Sequence, residues 1–198
     1  MNKLIAITIG DIKGIGIDIL VKTWKEKKIK NFLLITNIKI LNKELKKRKI
    51  KLILNVVNYR KNKFMYLKDK FNIFSFAAKS LEDNTYKSLK FGYDLCLNKK
   101  CIGVITLPLR KDIIKKKISR SFIGHTEYFQ KREKKSNVNM ILYHKKIMVS
   151  PITTHISINK ISKIISNKKF LFNQIYNLNK SLQFDFNIKK PKLIISGF

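Results

Sequence analysis

The stretch Leu4-Ile5-Ala6-Ile7-Thr8-Ile9-Gly10-Asp11-Ile12-Lys13-Gly14-Ile15-Gly16 decides the fold class. Its first half is a short, unbroken apolar run rich in Ile, which suits a strand buried on both faces of a parallel sheet. The run ends in glycines at 10, 14 and 16, where the backbone can turn sharply and approach a ligand closely. From Ile15 to Lys27 the apolar residues recur at helical spacing, with Ile17, Leu20, Val21 and Trp24 on one face. Strand, glycine loop and helix together place free N–H groups at a helix start, where an anion can bind. The spacing is not GxGxxG, so the dinucleotide fingerprint is not met. Taken alone, the loop reads first as a plain βα turn.

Working outward, Phe32–Thr36, Ile50–Val57, Phe71–Phe76 and Cys101–Leu107 read as further strands. Ile38–Lys49, Leu81–Asn98 and the stretch from Lys111 to Ile118 read as helices, the second with Leu81, Tyr86, Leu89, Tyr93 and Cys96 on one face. Asn58 to Lys70 is polar and aromatic and reads as a loop. Beyond these, Val138–Tyr143 and Ile147–Thr154 are expected to pair across His144-Lys145-Lys146, with Pro151 interrupting the second strand. His144 is expected to be exposed and idle. Asn159–Ser166 and Phe170–Leu182 are expected helices, and Lys192–Ser196 a last strand. The alternation argues for an α/β fold, a mostly parallel sheet covered by helices on both faces. In such a sheet ligands sit beyond the carboxyl ends of strands. The Gly10 loop and Thr106–Lys111 are therefore expected neighbours in one crevice. Arg110 and Lys111 can meet a phosphate there, although in so basic a chain the plainer reading is surface.

At 198 residues and 44% hydrophobic content, the chain can build a real core. Cys96 and Cys101 match neither a disulfide framework nor a zinc signature, and both read as reduced and partly buried. The apolar run after Lys3 is too short for a signal peptide and has no cleavage site. No run approaches the roughly 18 apolar residues of a membrane helix. Cytoplasmic localisation without a membrane partner is the default expectation. The net charge of +32, from 44 basic and 12 acidic residues, raises the question of nucleic acid. The lysines, however, are spread along the whole chain with an excess of Ile and Asn, as A/T-rich codon drift would leave them. No specific nucleic-acid partner is expected, only weak non-specific binding at low salt.

Two motifs carry chemistry. Gly124-His125-Thr126-Glu127 and Thr153-Thr154-His155 each set a histidine beside hydroxyl residues. Imidazole can bind a metal or an anion, and Thr adds a short hydrogen-bonding hydroxyl. From chemistry alone, satisfied loop histidines are the preferred reading.

Ile5–Gly16, Thr106–Lys111, the Gly124–Glu127 motif, Thr153–Ile156 and the closing Pro191–Phe198 nevertheless occur together in a telling order. Over essentially its whole length the chain resembles the N-terminal part of the 4-hydroxythreonine-4-phosphate dehydrogenase (PdxA) family. The resemblance implies a three-layer α/β/α fold like the isocitrate and isopropylmalate dehydrogenases. Residues 1–108 would form an N-terminal lobe with the glycine loop, and 109–198 the start of a second lobe. It implies a homodimer, NAD or NADP as cofactor, and a divalent metal (Zn, Mg or Co) held by three histidines. The implied reaction is oxidation and decarboxylation of 4-phosphooxy-L-threonine to 3-amino-2-oxopropyl phosphate in pyridoxal 5'-phosphate biosynthesis. By position, His125 and Thr126 match the substrate-binding pair and His155 the first metal ligand.

The alternatives are a related dehydrogenase of another four-carbon phosphorylated acid, or an inactive remnant with non-specific nucleic-acid affinity. Ile12 and Ile17 stand where the family has proline, and Leu107-Pro108-Leu109-Arg110-Lys111 where it often has a small residue and then Pro-Ile-Asn-Lys. These departures are expected to alter the crevice. In the family, the strand matching Leu193–Gly197 leads into Asn-Pro-His and later Tyr-His-Asp-Gln-Gly, which supply the other metal histidines. The chain is therefore expected to be C-terminally incomplete, and the 198 residues alone inactive.

Overall fold

The computed structural model describes residues 4–57, 65–134, 138–145, 147–154 and 156–196. The chain divides into two compact units, Met1–His125 and Thr126–Phe198.

The first unit is built on a five-stranded sheet of β1 (Ile5–Thr8), β2 (Phe32–Ile35), β3 (Leu54–Val57), β4 (Phe71–Phe74) and β5 (Gly103–Thr106). Every pairing is parallel, in the order β3-β4-β2-β1-β5. The period-two alternation of a strand sorts the side chains onto two faces. Ile7, Phe32, Leu34, Phe71 and Ile73 point to one face, where they pack with Ile17, Leu20 and Val21 of α1 (Gly16–Lys25) and Leu41 and Leu45 of α2 (Ile38–Lys47). Ala6, Leu33, Ile35 and Phe74 point to the other, against Leu95 of α3 (Leu81–Leu97). The three layers follow from these two cores, as the sequence leads one to expect. The cysteines are free thiols, Cys96 half-buried and Cys101 buried. Burial, with Cys96 nearby, pushes the Cys101 thiol up to about 12.

The buried face of α3 differs from the expected apolar stripe. Asn84, Thr85, Ser88, Leu89, Gly92 and Leu95 are the buried residues, whereas Tyr86 and Tyr93 stay half-exposed. The helix lies so close to the sheet that a Cβ at Gly92 would stand 2.9 Å from Thr8 Cγ2. At this point of closest approach a side chain does not fit, and small polar residues share the buried face with Leu89 and Leu95. Their polar atoms find partners at the strand ends. The Asn84 side-chain oxygen accepts a hydrogen bond from the backbone N–H of Asn37 (2.7 Å), and its amide donates to the Thr36 hydroxyl (3.1 Å).

In the second unit, α5 (His125–Glu133) begins at the boundary and is followed by β6 (Leu142–His144) and β7 (Ile147–Val149). These pair antiparallel with His144 opposite Ile147, a much shorter hairpin than expected, and β7 stops before Pro151. His144 is exposed. Helices α6 (Ile158–Ile165) and α7 (Lys168–Phe184) follow close to their expected positions. The expected strand at 192–196 is not formed: no ladder pairs it among the described residues, and Ile194 is 93% exposed. An apolar extended segment becomes a strand only when another backbone takes its hydrogen bonds. Among the described residues no helix is long and apolar enough to cross a membrane.

Candidate functional site at the carboxyl ends of β1 and β5

After β1 the chain crosses to α1 on one face of the sheet. After β5 it enters α4 (Lys111–Lys117), which packs against α3 on the other face. Adjacent strands whose connections leave to opposite faces open a crevice between their carboxyl ends. Residues 10–16 and 107–110 line this opening. They touch directly, since the backbone N–H of Asp11 donates to the Pro108 carbonyl at 2.8 Å. The expectation that the two strand exits are neighbours is met.

The loop is held from several directions. Gly10 has φ 61°, and a Cβ there would lie 2.3 Å from the Pro108 oxygen. The Thr85 hydroxyl, reaching up from α3, donates to the Gly10 carbonyl at 2.6 Å. Asp11 closes the next turn, its side chain accepting from the Lys13 N–H (3.0 Å) and its carbonyl from the Gly14 N–H (2.9 Å). Arg48, the C-cap of α2, donates to the carbonyls of Ile12 and Gly14, each at 3.1 Å. The same guanidinium pairs with Asp18 on α1 and with Glu44 one turn back. Three loop carbonyls are thereby turned inward by side chains from α2 and α3.

The substituted positions have clear structural roles. Ile12 and Ile17 are buried in the core beside α1 and α2. Leu107 is buried as well, in contact range of Gly16, where a Cβ would stand 3.1 Å from the Leu107 Cβ. Its extra bulk is taken up by the core and by the glycine. Arg110 is exposed and pairs with Asp112 at 3.2 Å, while Lys111 begins α4 and is exposed. The surface reading of that pair fits. At the end of β1 the Thr8 hydroxyl is fully buried with no hydrogen-bond partner among the described residues.

The histidine motif follows α4. Lys117 on that helix binds Glu82 on α3 at 2.8 Å, and this hydrogen bond lowers the Glu82 carboxyl to about 2. The chain then turns, with the Phe122 N–H donating to the Ser119 carbonyl (2.9 Å). The Phe122 ring is buried edge-on against Tyr86, their centroids 6.3 Å apart. This anchor brings the chain to His125, which is half-buried and opens α5. Thr126 follows it in the first turn and is exposed. His155 lies outside the described residues. Among the described residues, no three His, Cys, Asp or Glu side chains are grouped to hold a metal ion.

The description "Pyridoxal phosphate biosynthetic protein PdxA" belongs to the family model that matches residues 25–198. The chain belongs to the PdxA family. A 4-hydroxythreonine-4-phosphate dehydrogenase of Sulfurihydrogenibium sp. is 29% identical over 209 aligned residues, which cover 100% of this chain and 63% of the relative. The enzyme of the same name from Pseudoalteromonas translucida is 37% identical over 95 residues, covering 48% of this chain and 28% of the relative. Among solved structures, a 4-hydroxythreonine-4-phosphate dehydrogenase from Burkholderia phymatum superposes with a TM-score of 0.79 at 21% identity, over 97% of this chain and 61% of its own. A putative one from Salmonella typhimurium gives 0.78 at 21%, over 91% and 60%. The PdxA match thus extends over most of this chain, while the chain spans about six-tenths of the length of the solved PdxA chains.

The PdxA motifs Gly124–Glu127 and 106–111 were legible as text, whereas the residues shaping the glycine loop were not. Thr85 and Arg48 reach it from 75 and 34 to 36 positions away. The one available signal was the run of small polar residues at helical spacing in α3, Thr85-Ser88-Gly92.

Proposed function

We propose that this PdxA chain takes part in the NAD-dependent oxidation and decarboxylation of 4-phosphooxy-L-threonine, and that His125 and Thr126 bind the phosphorylated substrate. The observation that carries the reading is the family match over residues 25–198, which includes Gly124–Glu127. The imidazole N–H and the hydroxyl are donors suited to phosphate or hydroxyl oxygens. They stand in the first turn of α5, where backbone N–H groups also favour an anion. Remote binding of a dianionic phosphate orients the carbon that reacts.

In the reaction the substrate alcohol loses a proton and gives a hydride to NAD or NADP. The resulting β-keto acid then loses carbon dioxide, and the enolate is reprotonated to the aminoketone phosphate. In the family a divalent cation lowers the alcohol pKa and stabilises the enolate. Among the described residues no donor set for such an ion is formed. His155 would be one of its ligands, and a homodimer in the cytoplasm is the assembly the family suggests.

Calorimetric titration with 4-phosphooxy-L-threonine tests the reading. Binding is expected, and His125→Ala or Thr126→Ala should weaken it at least about tenfold, the value of one charge-assisted hydrogen bond or more. A preference for a different four-carbon phosphorylated acid would assign the chain to that dehydrogenase instead. Failure to bind any of them would support the remnant reading. NAD reduction by the 198 residues alone should stay at background, because only His155 among their 3 histidines matches a metal ligand. Steady turnover would overturn that expectation.

A further inference from the structure

The start of α3 reaches three different neighbours with three consecutive side chains. Asn84, fully buried, accepts from the Asn37 N–H at 2.7 Å, where β2 passes into α2. Thr85, also buried, donates its hydroxyl to the Gly10 carbonyl at 2.6 Å, nearer than the Leu81 carbonyl of its own helix at 3.1 Å. Tyr86 meets the buried Phe122 ring at 72°, and Phe122 stands three residues before His125. Successive side chains on a helix point about 100° apart, so neighbours in sequence can serve separate directions. One turn back, Glu82 accepts from the Lys117 ammonium of α4.

Magnitudes separate the contacts that hold from those that only guide. The Lys117 side chain is 58% exposed, so its pair with Glu82 contributes little strength. The Thr85 bond is buried, and among the described residues no other hydrogen bond reaches the Gly10 carbonyl. Leaving a buried acceptor unpaired costs more than the pair itself contributes. Phe122 is buried too, and its ring is the anchor of the turn that leads to His125. The helix that makes these contacts is itself fixed. Ser80 caps it, accepting from the Asp83 N–H at 3.1 Å, and Gly92 lets it lie against Thr8 of β1. The glycine loop and the chain before His125 are thus both referred to one rigid turn.

We propose that Thr85 and Tyr86 are positioning residues: Thr85 sets the glycine loop, Tyr86 sets His125 through Phe122, and their shared helix fixes the two relative to each other for substrate binding. The last step rests on the reading of His125 as a substrate ligand. Neither residue touches the substrate; each acts through the group it holds. Small displacements of binding groups are costly, since a shift of about 1 Å can cost about a hundredfold in rate.

The test uses the 198-residue protein and two pairs of variants. Thr85→Val keeps the shape of the side chain and removes its donor, whereas Thr85→Ser keeps the donor. Tyr86→Ala removes the ring, whereas Tyr86→Phe keeps it. Amide exchange and the imidazole signals of the 3 histidines are followed by NMR, His125 being identified by the loss of its signal in His125→Gln. In Thr85→Val the Asp11 N–H should exchange at least about tenfold faster. In Tyr86→Ala the His125 signal should move. In both, the N–H of Leu34 within β2 should exchange as in the wild type. Calorimetric affinity for 4-phosphooxy-L-threonine should fall at least about threefold in each, and Thr85→Ser and Tyr86→Phe should restore it to within about twofold. Three results would overturn the proposal: unchanged Asp11 exchange and His125 signal, a rise in exchange that includes Leu34 equally, or wild-type affinity in Thr85→Val or Tyr86→Ala. If the wild-type protein binds none of this substrate, the reading of His125 as its ligand falls alone, and the Asp11 and His125 signals still decide the positioning.

Discussion

At Gly10 two constraints coincide: a left-handed backbone and a carbonyl 2.3 Å from where a Cβ would stand. Alanine relieves neither. The conformational cost alone is about 1–2 kcal/mol, and the Pro108 carbonyl would also have to move, breaking its bond from Asp11. Gly10→Ala should lower the unfolding free energy by about 3 kcal/mol or more, as chemical denaturation can measure. Gly16 is less constrained, because the atom it faces belongs to the Leu107 side chain, which can shift by a few tenths of an ångström. The same reasoning explains how Leu107 is tolerated. What looks in the sequence like an intrusion into the crevice is absorbed by the core, a distinction that one-dimensional text does not contain.

Element by element, the helices end in an uncommon way. α1, α2 and α3 each close with paired backbone hydrogen bonds of the Schellman type. In α2, for example, Lys49 N–H donates to the Lys46 carbonyl (3.1 Å) and Ile50 N–H to the Leu45 carbonyl (2.9 Å). The left-handed residue this motif requires is usually glycine. Here it is lysine each time: Lys27 at φ 56°, Lys49 at 55° and Lys99 at 55°. Compositional drift toward lysine thus reached positions where it strains the backbone. Lys27→Gly, Lys49→Gly and Lys99→Gly should each stabilise the fold by about 0.5–1 kcal/mol. The three sites close different helices and share no backbone hydrogen-bond partner, so their effects should add, a gain readable as a raised melting temperature in the triple variant.

The elements also show where sequence reading succeeds. β1, β2 and α1 were legible because their apolar residues repeat at the period of the structure they form. α3 was legible as a helix, but its buried face was read only in part: Leu89 is buried as expected, whereas close approach to the sheet brings Gly92 and Ser88 inward and leaves Tyr86 and Tyr93 half-exposed. The segment 192–196 looked like a strand because apolar pattern reports burial, whereas a strand also needs a partner backbone.

At the scale of the whole molecule, β5 stands at the edge of the sheet and pairs only with β1 among the described residues. On it, Ile105 is 43% exposed, on the side of the sheet where Ile7 is buried. An exposed apolar edge is a template for pairing with other chains. Ile105→Lys should reduce light scattering of the 198-residue protein on warming while leaving its melting midpoint within about 2 °C, since a half-exposed edge site contributes little to stability. If scattering is unchanged, association proceeds through another surface.

The hydrogen bond from Asp11 to Pro108 has one more consequence, and it concerns time. Its two ends are nearly a hundred positions apart, so the glycine loop cannot take its final shape while the polypeptide is still emerging from the ribosome with β5 unmade. β1 and α1 can associate early, but the mouth of the crevice waits for the segment that carries Pro108. Until then the ends of β1 and β5 have nothing to hold them together as one opening.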